Sequence, residues 1–197
     1  EVARNDPSVG VIILTGAGRA FVAGADIQAL YDRREDGEAV SLTGQMVFRK
    51  IAQSKKLVIA AINGFALGGG NELALSARYR VAGAKAVFGQ PEIQLGIIAG
   101  YAGTQRLARL IGRRAAALAT LSGEQLTARR ARVLGIVDEI VPDALARARE
   151  LAREIAAGGT LPTPTRDRVP REAEGALRDD PVIQRLVQEN VERRQGE

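Results

Sequence analysis

Leu57-Val58-Ile59-Ala60-Ala61-Ile62-Asn63-Gly64-Phe65-Ala66-Leu67-Gly68-Gly69-Gly70-Asn71-Glu72-Leu73 is the stretch from which the rest of the chain can be read. Its first six residues form a continuous apolar run ended by the turn pair Asn63-Gly64, which reads as a strand. Three consecutive glycines then lead into a short helix, roughly Asn71 to Ala77. Glycine is called for where backbone must approach something closely, and the first amides of a helix have no partner inside it. A strand, a glycine loop and a helix N-terminus in that order give a place where N–H groups can point at a ligand.

Working outward, Val9 to Leu14 is another apolar run, closed by Thr15-Gly16, and is expected to be a strand buried on both faces. From about Gly37 to Gln53 apolar residues recur near helical spacing at Val40, Val47 and Ile51, flanked by Met46 and Phe48, an amphipathic helix. Brief strands are expected at Tyr79 to Ala82 and Ala86 to Phe88, and helices at Thr104 to Leu110 and Arg114 to Leu121. Thr127 reads as the N-cap of a helix from Ala128 to Leu134 that Gly135 ends, followed by a strand from Ile136 to Val141. Pro142 should open a helix reaching Ala156. The recurring strand, helix, strand order predicts an α/β fold with parallel crossovers. Residues 1–157 are expected to form the core, and residues 158–197 a proline-punctuated linker (Leu161 to Pro170) with a charged helix from Pro181 to Arg194.

Composition narrows the chemistry. The 197 residues contain no histidine and no cysteine, so Ser-His-Asp hydrolysis, Cys-His catalysis and His/Cys zinc sites lack their essential groups. Proton transfer near neutral pH then falls to carboxylates whose pKa values the fold has tuned. The net charge of +5 comes from arginines interleaved with acids along helical stretches, without interleaved aromatics. No nucleic-acid partner is therefore expected. Absence of cysteine and of any long apolar run points to a cytoplasmic protein with no membrane partner. The chain opens on Glu1 rather than Met, almost directly on a strand, from which trimming of an N-terminal portion is expected.

Gly16-Ala17-Gly18-Arg19-Ala20-Phe21 begins like a dinucleotide-binding fingerprint but places Phe21 where the third glycine must allow a helix to pack on a strand. A better account pairs Ala23-Gly24-Ala25-Asp26-Ile27 with the glycine loop before Glu72, two loops after adjacent strands that could aim backbone N–H groups at one oxyanion. Glu72 lies behind that loop, and Glu92 lies in the turn Gly89-Gln90-Pro91-Glu92-Ile93. Taken singly, the glycines could serve only tight turns, Glu72 could favour the helix dipole and Glu92 could be a surface turn residue. Taken together they suggest an acid and a base working across an activated carbonyl.

Those loops, with Phe88-Gly89-Gln90-Pro91-Glu92-Ile93 and Gly100-Tyr101-Ala102-Gly103-Thr104-Gln105-Arg106-Leu107, resemble the crotonase superfamily and specifically its enoyl-CoA hydratase/isomerase members, from about Val9 to Val141. The resemblance implies a crotonase-like spiral of β-β-α units with C-terminal helices, and a homotrimer or hexamer. It implies an acyl-coenzyme A thioester substrate, fatty-acid β-oxidation chemistry, and no metal or separate cofactor. By the same resemblance Ala25 and Gly69 would supply the oxyanion-hole amides, and Glu72 and Glu92 would be catalytic. Ala23, Asp26, Ile27, Gly68, Gly70, Gly100 and Tyr101 would bind substrate. Hydration of a 2-enoyl thioester is the implied reaction, with an isomerase of the same superfamily, or a basic RNA-binding or scaffold member, as alternatives.

Several residues depart from the family pattern. Relatives commonly carry proline where Ala99 stands, glycine or another small residue at Tyr101 and Ala102, and lysine at Gln28. The segment after Gly158 is more similar to the linker following the hydratase module in fused hydratase and 3-hydroxyacyl-CoA dehydrogenase proteins. Its helix has few apolar anchors, chiefly Val182, Ile183, Leu186, Val187 and Val191, and is expected to dock against a neighbouring copy or a fused domain.

Overall fold

The structure is a computed structural model that describes residues 1–160, 162–163 and 180–195. Most of the expected linker, including Leu161 and the segment 164–170, lies outside the described residues.

After a short helix α1 (Val2–Asn5), the chain alternates between two sheets. β1 (Val11–Thr15), β3 (Leu57–Ile62), β5 (Tyr79–Gly83) and β8 (Glu139–Val141) form one, all parallel in the order β1-β3-β5-β8. β2 (Ala20–Val22), β4 (Phe65–Leu67), β6 (Val87–Gly89) and β7 (Leu126–Thr127) form the other in the order β2-β4-β6-β7, with β7 antiparallel. Three successive strand pairs thus place one strand in each sheet. The first is followed by α2 (Ile27–Asp32), the 3-10 turn Arg34–Asp36 and α3 (Gly37–Ala52). The second is followed by α4 (Gly69–Ser76), and the third by the 3-10 turn Pro91–Leu95 and α5 (Gly103–Ile111). This is the expected β-β-α spiral. It is completed by α6 (Arg113–Ser122), α7 (Ala128–Leu134), α8 (Ala144–Ala156) and α9 (Pro181–Gln195).

The period-2 alternation of β3 explains the layering. Leu57, Ile59 and Ala61 face outward to Val81 and to Ala144 and Ala148 of α8. Val58, Ala60 and Ile62 face the main core, shared with Phe21, Ala66 and Phe88 of the second sheet and with Leu75, Leu107 and Ile136. All six residues of β3 are buried, because the strand has neighbours on both sides and layers on both faces. Arg80 is fully buried on β5, where its guanidinium donates to the carbonyls of Ile136 (2.6 Å) and Ala77 (2.8 Å) and pairs with Asp138 at 3.0 Å, stitching β5 to the approach of β8.

Several expectations need correction. β1 spans Val11–Thr15 and is only half buried, because it is an edge strand with β3 on one side. In α3 the inward stripe runs through Val40, Gly44, Phe48 and Ile51, while Met46 and Val47 are exposed. The last strand is confined to Glu139–Val141, since Ile136 folds back to donate its N–H to the Ala131 carbonyl at 2.8 Å beyond the left-handed Gly135. Asp143 rather than Pro142 starts α8, its carboxylate accepting from the N–H groups of Leu145 and Ala146 at 3.0 Å. α9 packs on α6 of the same chain: Ile183 is buried, Arg114 pairs with Asp180 at 2.6 Å, and the Asn190 side chain donates to the Leu121 carbonyl at 2.9 Å. Thr127 does cap α7, accepting from the Arg130 N–H at 3.3 Å. Among the described residues no helix is long and apolar enough to cross a membrane.

Candidate active site

The loops after β2 and β4 meet because these strands are parallel neighbours. A Cβ on Gly70 would overlap the Val22 carbonyl, and one on Gly64 would overlap the Arg19 carbonyl, so glycine permits the contact between the two turns. Gly68 adopts φ 53°, outside the helical range, and turns the chain into α4. The N–H of Gly69 at the head of α4 and that of Ala25 in the facing loop make no hydrogen bond among the described residues. Both residues line a cleft of ≈ 950 Å³, together with Glu72, Glu92 and Tyr101.

Glu72, in the first turn of α4, is 1% exposed. Its Oε1 accepts two backbone N–H groups from a loop some thirty residues on, Tyr101 at 2.8 Å and Gly103 at 2.6 Å. That leaves Oε2 as the oxygen able to take a proton from a bound molecule. Burial pushes the Glu72 carboxyl up to about 7, helped by the Glu92 charge, while the amides of Gly103 and Tyr101 and the Arg106 guanidinium pull the other way. The loop is fixed from behind: Arg106 donates to the Tyr101 carbonyl at 2.7 Å, and Gln45 of α3 donates to the Gly100 carbonyl at 2.8 Å. The Tyr101 ring lies against Gly44 and Gly69, edge-on to Phe48 with centroids 5.4 Å apart. Ala102 sits at φ 70°, the one non-glycine residue in the left-handed region among those described.

Glu92 is 8% exposed and its carboxyl is raised by burial. An added Cβ on Gly68 would stand 3.0 Å from Glu92 Oε1, so this carboxylate lies against the glycine loop. Gln90, 2% exposed, lies beside it. With its amide nitrogen toward Glu92, Gln90 donates to both carboxylate oxygens at 3.0 Å and accepts from Asn71 Nδ2 at 3.3 Å.

Of the residues expected to bind substrate, Ala23, Ile27, Gly68, Gly100 and Tyr101 line the cleft, as do Ala25 and Gly69, the pair expected to supply the oxyanion-hole amides. Asp26 and Gly70 do not. The Asp26 carboxylate caps α2 by accepting from the Ala29 N–H at 3.1 Å, and Gly70 is spent on packing α4 against β2. Sequence reasoning missed Gln90 as the partner of Glu92, Asn71 as the partner of Gln90, the Gly103 and Tyr101 amides on Glu72, and Arg106. The polar pair Asn71 and Gln90, each beside one glutamate, was the signal available. Among the described residues no group of three or more acidic, histidine or cysteine side chains is placed to hold a metal.

The profile of the enoyl-CoA hydratase/isomerase family matches residues 1–172. The chain is 43% identical over 155 residues to the short-chain-enoyl-CoA hydratase of Clostridium acetobutylicum, covering 77% of this chain and 59% of that protein. It is 42% identical over 161 residues to the crotonyl-CoA hydratase of Syntrophomonas wolfei, covering 80% and 62%. The crystal structure of an enoyl-CoA hydratase from Bacillus anthracis superposes with a TM-score of 0.76 at 38% identity, over 80% of this chain and 62% of that one. The chain thus spans about three fifths of the length of these two hydratases. With the glycine loops, the paired glutamates and the two-sheet spiral in agreement, the chain belongs to the enoyl-CoA hydratase/isomerase family.

Proposed function

We propose that this protein adds water across the double bond of a 2-trans-enoyl-CoA thioester to give a 3-hydroxyacyl-CoA. The observation that carries this reading is the convergence of two buried glutamates on one cleft beside two backbone amides that have no hydrogen-bond partner among the described residues. The thioester oxygen sits between the N–H groups of Ala25 and Gly69, which polarise the carbonyl and make Cβ electrophilic. Glu72 is the base. Its Oε1 is held by two amides, and Oε2 takes a proton from water as the water oxygen bonds to Cβ. The double-bond electrons move toward the thioester, and enolate charge collects where the oxyanion hole and the α4 dipole stabilise it. Glu92 then delivers its proton to Cα. One turnover leaves Glu72 protonated and Glu92 ionised, and proton exchange with solvent restores the pair.

The cleft's charge suits an acyl-CoA substrate. Arg33 and Arg34 line it and supply positive charge near the position where Gln28 carries none, Gln28 itself being tied to Asp32 at 2.8 Å. A self-associated trimer or hexamer belongs to this reading, supported by the exposed Leu42, Met46 and Val47 on α3. So do a cytoplasmic setting and a division into a catalytic unit, residues 1–157, and an appended segment, residues 158–197. The decisive experiment is loss of conjugated enoyl-thioester absorbance with C4, C8 and C16 substrates, run beside a 3-enoyl-CoA isomerisation assay. Isomerisation without hydration would replace this reading by the isomerase, and neither activity would end it.

A further inference from the structure

Gln90 and Asn71 are buried polar side chains that the hydration scheme does not use. They form a chain, Glu92, Gln90, Asn71, whose two amides do not line the cleft. With the Gln90 nitrogen toward Glu92, every contact in that chain is satisfied, but Asn71 Oδ1 has no partner among the described residues. Turned over, the Gln90 amide presents Oε1 to Glu92, which it can accept from only when Glu92 carries a proton. Its nitrogen then points at Asn71, and a matching turn of the Asn71 amide brings the orphaned Oδ1 into use as its acceptor. Each arrangement of the two amides suits one protonation state of Glu92.

We propose that Gln90 is a positioning residue whose amide follows the proton of Glu92, donating to the ionised carboxylate and accepting from the protonated one, with Asn71 as its relay partner. No proton passes along the amides. The proton leaves Glu92 for Cα, and Gln90 turns to donate to the charge left behind while Asn71 turns to donate to the Gln90 oxygen, easing a step that would otherwise strand a buried carboxylate. The proposal rests on Glu92 being the proton donor in the hydration scheme. The charged group facing Glu92 from α4 is Glu72, with Arg106 of α5 beyond it. α6, which packs near the 3-10 turn through Gly123, carries Arg113 and Arg114 at its opposite end. Glu124, after α6, meets Gly89 through its carbonyl. Among the described residues, neutral amides are thus the closest polar contacts of Glu92.

The test is a ¹³C NMR titration of glutamate carboxyl-labelled protein, with the Glu92 resonance assigned by its loss in Glu92→Gln. In Gln90→Met, which keeps the shape and removes the amide, the Glu92 midpoint should rise by about one pH unit or more, because hydrogen bonds to a charged acceptor are the stronger ones. Hydration kcat should fall about tenfold with KM within about twofold, as expected when an interaction serves the proton-transfer step rather than binding. Gln90→Glu provides a second, near-isosteric variant and should give two widely separated midpoints for a carboxyl pair sharing one proton. A Glu92 midpoint unmoved in folded Gln90→Met, or two ordinary midpoints in Gln90→Glu, would overturn the proposal. Wild-type protein that fails to hydrate any enoyl-CoA would sink the proposed function instead, and the titration would still decide the role of Gln90.

Discussion

Replacing Glu72 by glutamine should cost catalysis and add stability, and the added stability should appear only as pH rises. Glutamine keeps an oxygen to accept the Tyr101 and Gly103 N–H groups, now at 2.8 and 2.6 Å, so the local fold is retained. What it removes is a charge that burial opposes. The Glu72 carboxyl moves from 4.5 to about 7 on folding. The folded state therefore holds an extra proton between those values, and wild-type stability falls as pH climbs through that window. At about 1.4 kcal/mol per pH unit the ceiling on this loss is about 3 kcal/mol, and the water that reaches a cleft brings it nearer to 1–2 kcal/mol. Glu72→Gln should unfold in urea close to wild type at pH 4.5 and be about 1–2 kcal/mol more stable at pH 8. In the same preparations its hydration rate should be about two to four orders of magnitude lower. Wild-type activity should rise with pH to a midpoint near 7 as Glu72 ionises. A stability difference that is the same at both pH values would show that Glu72 is not a strained buried carboxylate. Near-native turnover would show that it is not the base.

Gly103→Ala tests how tightly that carboxylate is held: the new Cβ would lie 2.7 Å from both Cγ and Oε1 of Glu72 and 2.8 Å from the Gln90 amide. Alanine usually strengthens a helix by about 1 kcal/mol over glycine, but here urea unfolding should show a loss of about 1–3 kcal/mol with kcat down about a hundredfold. Gly69→Pro removes the proposed oxyanion-hole donor, and the enoyl-thioester assay should show turnover abolished while circular dichroism reports an intact fold. Ala102→Gly relieves a left-handed alanine at φ 70° and should raise stability by about 0.5–1 kcal/mol in thermal melts, with activity kept.

What could be read from the sequence was whatever local physics decides. An apolar run with turn residues at its end must be a strand, so Leu57–Ile62 was legible to the residue. A threonine before a helix and a glycine after it mark the ends of Ala128–Leu134 because capping is a matter of nearest neighbours. The absence of histidine and cysteine pointed to glutamates, and the motif order pointed to Glu72 and Glu92. Tertiary structure decided the rest. β2 and β4, three residues each, are too short to carry a pattern and exist because parallel neighbours supply their hydrogen bonds. The open edge of β1, the exposure of Val47 and the docking of α9 on α6 depend on which partners the fold supplies. Gly70 is drawn into packing against the Val22 carbonyl by a contact no spacing rule foretells, whereas the capping of α2 by Asp26 is the same nearest-neighbour effect that marks α7. The elevated Glu72 carboxyl likewise requires the Tyr101–Gly103 loop to close over it from twenty-nine residues and more down the chain, because desolvation belongs to the assembled fold and not to any one segment.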